Sequence, residues 1–308
     1  MESAANNSAP YHIPALLPQA IEMLDIKPDG IYIDATFGGG GHSRAILELL
    51  SSRGRLFSFD RDLAALANKP DDDRFTFVHA NFRHIGNFMR YYKISKVDGI
   101  LADFGVSFHH FDTPERGFSF RNEAPLDMRM NQNAPLSAAD LIAGADESYL
   151  NSILRSYADL KKPANVVKAI LQYRNNTPIE TTSQLAESVK GALDPRQEKK
   201  ELAQVFQAVR IAVNHEAEDI KEFLNASVKD LKPGGRLVTL TYHSMEDRMV
   251  KNFIKTGNIE GKEEKDFYGN LHSQWKVLTR KPIEPSQEEI ESNPRARSAR
   301  LRAAEFLG

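Results

Sequence analysis

The sequence contains no cysteine among its 308 residues. This absence excludes disulfides, thiolate zinc sites and cysteine nucleophiles, and it fits a reducing cytoplasm. No stretch approaches the roughly 18 apolar residues that a membrane span needs. Residues 1–10 lack the basic and apolar regions of a secretory signal. We therefore expect a cytoplasmic protein with no membrane contact.

The sequence also lacks an excess of charge of either sign, since 40 basic residues face 42 acidic ones. This balance argues against a uniformly basic surface, so any contact with nucleic acid must come from local clusters. The nine histidines show no metal-ligand spacing such as H-E-x-x-H. We expect no metal site.

Strands that alternate with helices are typical of a mostly parallel sheet covered on both faces. The predicted strands are Ile31–Phe37, Arg55–Asp60, Arg74–Ala80, Val97–Asp103 and Arg236–Tyr242. A parallel crossover needs only a dozen or so residues, so the long segment before the last strand must hold something additional.

Helical periodicity in that segment predicts an inserted helical domain at 113–210. The clearest helical runs are 147–156, 165–173 and 202–212. The α/β domain would then consist of residues 1–112 and 211–308. The segments 275–283 and 297–304 are expected to add strands at the sheet edge.

Four glycines, Gly38 to Gly41, separate the first strand from a helix. Such a loop lets backbone N–H groups approach a ligand closely. Asp60 ends the next strand, where an acidic residue binds the hydroxyls of an adenosine ribose. The pair fits NAD or S-adenosylmethionine, but Ser43 breaks the G-x-G-x-x-G pattern and disfavours a pyrophosphate site. A flexible turn beside a surface aspartate is the structural alternative.

Two further strand ends supply candidates for the same crevice. Phe82 follows the third strand and is placed either to pack on an adenine ring or to fill the core. Asp103 ends the fourth strand. Its carboxylate is suited to the positive methionine end of a cofactor or to a substrate amino group, and a helix N-cap is the competing interpretation.

Nine ordered segments resemble the signature of the RsmH (MraW) family. They are 12–14 (HIP), 34–43 (DATFGGGGHS), 60–62 (DRD), 103–107 (DFGVS), 115–120 (ERGFSF), 125–130 (PLDMRM), 206–211 (FQAVRI), 243–248 (HSMEDR) and 293–298 (NPRARS). The resemblance covers nearly the whole chain. It implies a Rossmann-like S-adenosylmethionine-dependent methyltransferase sheet with an inserted helical substrate-recognition domain.

The resemblance also implies an activity and a set of contacts. Family members are bacterial cytoplasmic enzymes that methylate the exocyclic N(4) of a cytidine in the decoding region of 16S ribosomal RNA, a component of the small ribosomal subunit. The implied cofactor contacts are Gly40, Gly41, His42, Asp60, Phe82, Asp103 and His110. His110 replaces a family glutamine and Phe108 a common serine, and neither imidazole nor phenyl reproduces an amide or a hydroxyl.

The chemistry of a cytosine amino group suggests catalytic roles. This nitrogen is a poor nucleophile, so the enzyme must orient it and accept hydrogen bonds from its two N–H groups. We expect the Asp103 carboxylate and main-chain carbonyls of 103–105 to be the acceptors. Phe104 or Phe108 would stack on the flipped-out base, and the catalytic set is expected to be Asp103, Phe104 and Ser107.

Local arginine clusters are the candidates for RNA binding. Arg295, Arg297, Arg300 and Arg302 either neutralise phosphates or form the solvated face of an edge strand. Arg116, Arg121 and Arg129, interleaved with Phe118 and Phe120, follow the active-site strand and are favoured for RNA.

The residues that follow the fifth predicted strand carry a helix-capping pattern. Ser244 and Asp247 are spaced as a capping box, and His243 is a candidate pocket residue.

Two rival functions share parts of this pattern: a nicotinamide-dependent oxidoreductase and a non-catalytic RNA-binding assembly protein. The sequence leaves open whether the protein forms a homodimer.

Overall fold

The computed structural model describes residues 14–104, 114–263 and 273–308. The chain divides into two compact units, one drawn from Met1–Gly105 with Asp219–Gly308 and one from Val106–Glu218. The predicted insertion, 113–210, lies inside the bounds of the second unit. Among the described residues, no helix is long and apolar enough to cross a bilayer.

The first unit is built on a seven-stranded sheet. Its strands are β1 (Ile31–Asp34), β2 (Arg55–Asp60), β3 (Phe75–His79), β4 (Val97–Asp103), β5 (Leu231–Thr241), β6 (Trp275–Val277) and β7 (Arg300–Phe306). They lie in the order β3-β2-β1-β4-β5-β7-β6. β1 to β5 are parallel, and β7 is antiparallel to both of its neighbours. The predicted α/β fold class is confirmed.

The order of the strands places a ligand crevice. After β1 the chain adds β2 and β3 on one side and then returns to add β4 on the other. Open α/β sheets bind ligands outside the carboxyl ends of the strands at such a switch point. The turns after β1, β2 and β4 are therefore expected to line the ligand crevice.

Two predicted strand features differ from the structure. β7 lies between β5 and β6, so the interpretation of its arginines as an edge-strand face is wrong. β5 begins at Leu231, earlier than predicted, and the Pro233-Gly234-Gly235 segment falls where its pairing with β4 changes register. Gly234 has a φ of 80°, which explains the glycine there.

Helices cover the sheet of the first unit and build the second unit. The helices before the second unit are α1 (Leu17–Leu24), α2 (Gly41–Leu49) and α3 (Ile85–Tyr91). Those within it are α4 (Ala138–Gly144), α5 (Glu147–Tyr157), α6 (Pro163–Arg174), α7 (Thr182–Lys190) and α8 (Glu198–Asn214). They are followed by α9 (Glu216–Asp230), α10 (Ser244–Thr256) and α11 (Gln287–Ser292).

Amphipathic helices give the second unit its own core. Apolar side chains at helical spacing are buried together, including Leu150, Ile153 and Val167 with Val205 and Val209. Side-chain caps fix where the helices begin: they come from Ser137, Asp146 and Thr181 at α4, α5 and α7. Local sequence and burial thus agree, which is the condition for a separately packed unit.

Candidate active site

The glycine loop joins β1 to α2 in a conformation that requires glycine at two points. Gly38 has a φ of 51° and Gly40 a φ of 75°, a region that other residues rarely adopt. A Cβ atom on Gly40 would lie 2.8 Å from the ring of Phe37. A Cβ on Gly39 would have no neighbour within 4 Å in the described parts of the chain. The loop is therefore tightly packed at Gly40 and open at Gly39.

Asp60 lies directly against this loop. Its Oδ2 accepts the Gly38 N–H at 2.8 Å, and its Oδ1 accepts the Asp62 N–H at 2.8 Å. Burial raises the pKa of the Asp60 carboxyl, whereas the two backbone hydrogen bonds lower it. A carboxylate offers about four acceptor positions. Two therefore remain for a pair of ligand hydroxyls.

Arg44 and Asn68 bind the carbonyl groups of the loop. The Arg44 guanidinium donates to the carbonyl oxygens of Gly39 and Asn68, each at 2.8 Å. The Asn68 amide donates to the carbonyl of Gly38 at 3.1 Å. These contacts fix the loop carbonyls, a role that the sequence did not reveal.

Asp34, at the end of β1, anchors the loop from inside. It is completely buried. Its carboxylate accepts the Ser43 hydroxyl at 2.6 Å and the Thr36 N–H at 3.1 Å, and Ser43 contacts the Ser58 hydroxyl at 2.8 Å. Burial raises the pKa of Asp34, and the negative charge of Asp103 raises it further. Ser43 thus serves a buried polar network where a dinucleotide loop would need glycine.

Asp103 is held by its neighbours on both sides. Its N–H donates to the Thr36 hydroxyl at 2.7 Å. Its carboxylate shares a hydrogen bond with the hydroxyl of Tyr242, which follows β5. Burial and the charge of Asp103 raise the pKa of Tyr242, so the phenol stays neutral and donates. Tyr242 was missed in the sequence, although its place at a strand end is a usable signal.

Three aromatic rings lie together beyond β3 and β4. The centroid of Phe82 is 5.7 Å from that of Phe104 and 5.5 Å from that of Phe223. The Phe104 and Phe223 centroids are 5.6 Å apart, and Phe104 is only 7% exposed. The expected stacking of Phe104 on a base is therefore corrected, because its ring packs against two other phenylalanines. Phe82 is partly exposed, so it keeps surface for an adenine.

A network of polar and charged side chains holds the two residues that flank Phe82. Asn81 donates to the buried Asp219 at 2.6 Å, and Arg83 donates to the same carboxylate at 2.9 Å. Arg83 also forms a two-point contact with Glu222. Burial raises the pKa of Asp219, while Asn81 and Arg83 lower it. This network fixes the turn after β3.

Of the remaining predicted cofactor and catalytic residues, the structure describes His42 and Gly41. His42, in the first turn of α2, is 5% exposed, and its Nε2 has no hydrogen-bond partner within the described residues. A Cβ on Gly41 would lie 2.2 Å from Pro14. Ser107 and His110, together with Phe108, lie outside the described residues.

The predicted RNA-binding arginines have unequal access to a ligand. Arg116 donates to the carbonyl of Arg129 at 2.6 Å, and Arg129 pairs with Asp127 at 2.7 Å. Both guanidinium groups thus have roles inside the second unit. Arg121, Arg295 and Arg297 are exposed, and their contact with RNA stays a prediction.

Arg302 requires a correction. Its side chain is 6% exposed and donates to both oxygens of Asp247, at 2.6 and 3.1 Å. Arg300 also approaches Asp247, at 3.9 Å. Arg302 is therefore a buried ion-pair partner and not a phosphate ligand.

The predicted capping box at α10 is wrong. His243 is the N-cap residue and makes no side-chain cap. Glu246 instead accepts the Tyr242 N–H at 2.8 Å and lies 2.9 Å from His243 Nε2. Asp247 is drawn away to Arg302. The turn that carries Tyr242 is thus fixed by Glu246.

Comparison with known proteins gives a consistent result. The model of a family described as the MraW methylase family matches residues 9–307. A protein named "Ribosomal RNA small subunit methyltransferase H" from Bacteroides thetaiotaomicron is 53% identical over 295 residues, 96% of this chain and 97% of its own. Proteins of the same name from Phocaeicola vulgatus and Porphyromonas gingivalis are 54% and 51% identical, with the same shares covered.

Proposed function

Because the chain belongs to the MraW methylase family, we propose that it transfers a methyl group from S-adenosylmethionine to N(4) of a cytidine in 16S ribosomal RNA. Membership confirms the family resemblance, the methyltransferase fold and the S-adenosylmethionine cofactor expected from the sequence. The names of the relatives support small-subunit ribosomal RNA as the substrate. The cytidine, its N(4) atom, the decoding region and the intact subunit are the finer parts of the proposal.

The residues around the crevice fit the cofactor. The open side of Gly39 leaves room beside the loop, and Asp60 retains acceptor positions for the two ribose hydroxyls. Bound S-adenosylmethionine supplies a methyl group activated by its sulfonium charge. The residues that would hold it are Gly40, Gly41, His42, Asp60, Phe82 and Asp103, with His110 carried over from the family resemblance.

The observation that carries the choice of substrate atom is the Asp103 carboxylate, held by Tyr242 at the end of β4. An exocyclic amino group presents two N–H donors and needs acceptors to orient it. Asp103 would accept one of them, and a main-chain carbonyl of 103–105 the other. The nitrogen lone pair is then directed at the methyl carbon.

Asp103 would also stabilise the positive charge that develops on the amino nitrogen. The new bond between nitrogen and the methyl carbon would replace the methyl–sulfur bond and leave neutral S-adenosylhomocysteine. The nitrogen would carry positive charge, and its acidic proton would then pass to solvent water. A nearby carboxylate stabilises that charge. The Tyr242 hydroxyl, which stays protonated, keeps the carboxylate in one orientation.

The proposed function is tested by incubating the protein and labelled S-adenosylmethionine with two kinds of acceptor. One is the small ribosomal subunit or its RNA, and the other is the large subunit or its RNA. We expect label in the small-subunit acceptor alone. Asp103→Asn should lower turnover by about 100-fold, and the Asp71→Asn control changes an exposed carboxylate. Normal turnover in Asp103→Asn with unchanged cofactor binding would show that this carboxylate has no such role.

A further inference from the structure

The helices of the second unit have two distinct ends. At one end, Arg174, Thr182 and Asn214 each donate to a main-chain carbonyl within 124–145, at 2.7, 2.9 and 2.8 Å. These contacts fix the carboxyl end of α6, the amino end of α7 and the carboxyl end of α8. α5 begins beside the same segment, at its cap Asp146.

The other ends of the same four helices must therefore lie together. α5 packs against α6 and α8, and α7 packs against the same two helices. The loops 158–162 and 191–197 join them at this second end. We call it the basic end, and its exposed basic side chains are Arg155, Lys161, Lys162, Lys190, Arg196, Lys199 and Lys200.

Charge is distributed unevenly in this unit. Residues 106–218 contain 13 basic and 15 acidic residues, and the basic end holds seven of the basic ones. The carboxylates of the same segments are Asp159, Asp194, Glu198 and Glu201. Glu201 is buried and accepts the Asp194 N–H at 2.7 Å. The basic end is thus positive although the unit as a whole is slightly negative.

Other cations of the second unit hold the fold together through their side chains. Arg129 and Arg210 pair with carboxylates, and Arg174 donates to carbonyls. By contrast, no ion pair within the described ranges involves any of the seven side chains of the basic end. Exposed ammonium groups that are held near one another repel, so a concentration of this kind is suited to an external polyanion.

We propose that the basic end binds the phosphate backbone of the ribosomal RNA that carries the target nucleotide. The inference rests on the proposed function, since it names how the same substrate is held. Five of the seven side chains are lysines, which act on phosphates as point charges, and contacts to phosphates carry no sequence information. The basic end therefore contributes affinity, and the choice of nucleotide belongs to the active site.

The test is RNA affinity at several salt concentrations. One variant carries Lys161→Gln, Lys162→Gln, Lys199→Gln and Lys200→Gln. The control carries Lys168→Gln, Lys229→Gln, Lys251→Gln and Lys281→Gln, which remove the same charge from exposed positions elsewhere. We expect the first variant to bind protein-free small-subunit RNA at least about tenfold more weakly. The slope of the logarithm of the RNA association constant against the logarithm of salt concentration should decrease in magnitude by up to about 3. Binding of S-adenosylhomocysteine should be unchanged.

Two results would overturn the proposal. One is the same affinity and salt slope in both variants. The other is a loss of affinity for assembled subunits with none for protein-free RNA, which would assign the basic end to a ribosomal protein. The proposed function fails separately, if the wild-type protein binds the RNA but transfers no methyl group.

Discussion

Asp60 and Asp103 end strands β2 and β4, which lie on either side of β1. Backbone N–H groups hold the first carboxylate and a tyrosine hydroxyl holds the second. Because their hydrogen-bond partners differ, the two carboxylates should respond differently to substitution. Asp60 should affect cofactor affinity, whereas Tyr242 should act through the orientation of Asp103.

Asp60→Asn should weaken binding of S-adenosylhomocysteine by about 10- to 100-fold. The amide keeps the size of the carboxylate but loses the charge and one acceptor oxygen, and a hydrogen bond to a charged group contributes about 1.5–3 kcal/mol. Isothermal titration calorimetry measures this affinity, with Asp71→Asn as the exposed control. Unchanged affinity would remove Asp60 from the cofactor site.

Tyr242→Phe should lower kcat by about tenfold, the effect of losing one positioning hydrogen bond. The ring remains, so KM for the cofactor and the melting temperature should change little. Tyr91→Phe is the control, because Tyr91 is 76% exposed. A fall in melting temperature that accounts for the lost activity would instead mean that the hydroxyl has a structural role.

The sequence alone was sufficient to predict the candidate residues that stand at the ends of strands. Asp60, Phe82 and Asp103 were predicted from position alone, and each lies at the crevice edge of the sheet. Tyr242 and the Arg302 pair were not predicted. Their partners are distant in the sequence, so only the order of the strands brings them together.

The glycine loop is the element on which the cofactor site depends. Gly40→Ala should destabilise the protein by about 1–2 kcal/mol, since a residue with a Cβ is strained at a φ of 75°. Its Cβ would also meet the Phe37 ring. Gly39→Ala is the matched control and should keep the wild-type stability. Equal denaturant midpoints for the two variants would contradict this description of the loop.

The contact between α10 and β7 depends on a buried ion pair. Asp247→Ala should destabilise the protein by about 3–5 kcal/mol, because it leaves the Arg302 guanidinium buried without its partner. Adding Arg302→Met should recover part of that loss. Urea unfolding of the two single variants and the double variant forms the cycle that measures the coupling. Additive losses would show that the pair is not coupled.

Elements were more predictable than their ends. Periodicity located the helices α5, α6 and α8 and the strands β2 and β4 within a few residues. It did not locate the start of β5, because a Pro-Gly-Gly sequence is typical of turns and here lies within an irregular strand. The capping box at α10 failed for a tertiary reason, since Arg302 binds the predicted capping carboxylate.

For the whole molecule, alternation of strands and helices was sufficient for the α/β class, and ordered motifs were sufficient for the family. Both are properties of the chain as a sequence. The basic end was not visible in the sequence, because its side chains come from three helices and two loops that only the folded unit brings together.

The proposed reaction is defined by the atom that receives the methyl group. The decisive measurement uses small ribosomal subunits from a strain that lacks this protein, labelled S-adenosylmethionine and nucleoside mass spectrometry of the RNA. We predict label in N(4)-methylcytidine from the decoding region. Label in any other nucleoside, or none despite cofactor binding, would contradict the assignment of the cytidine amino group to Asp103.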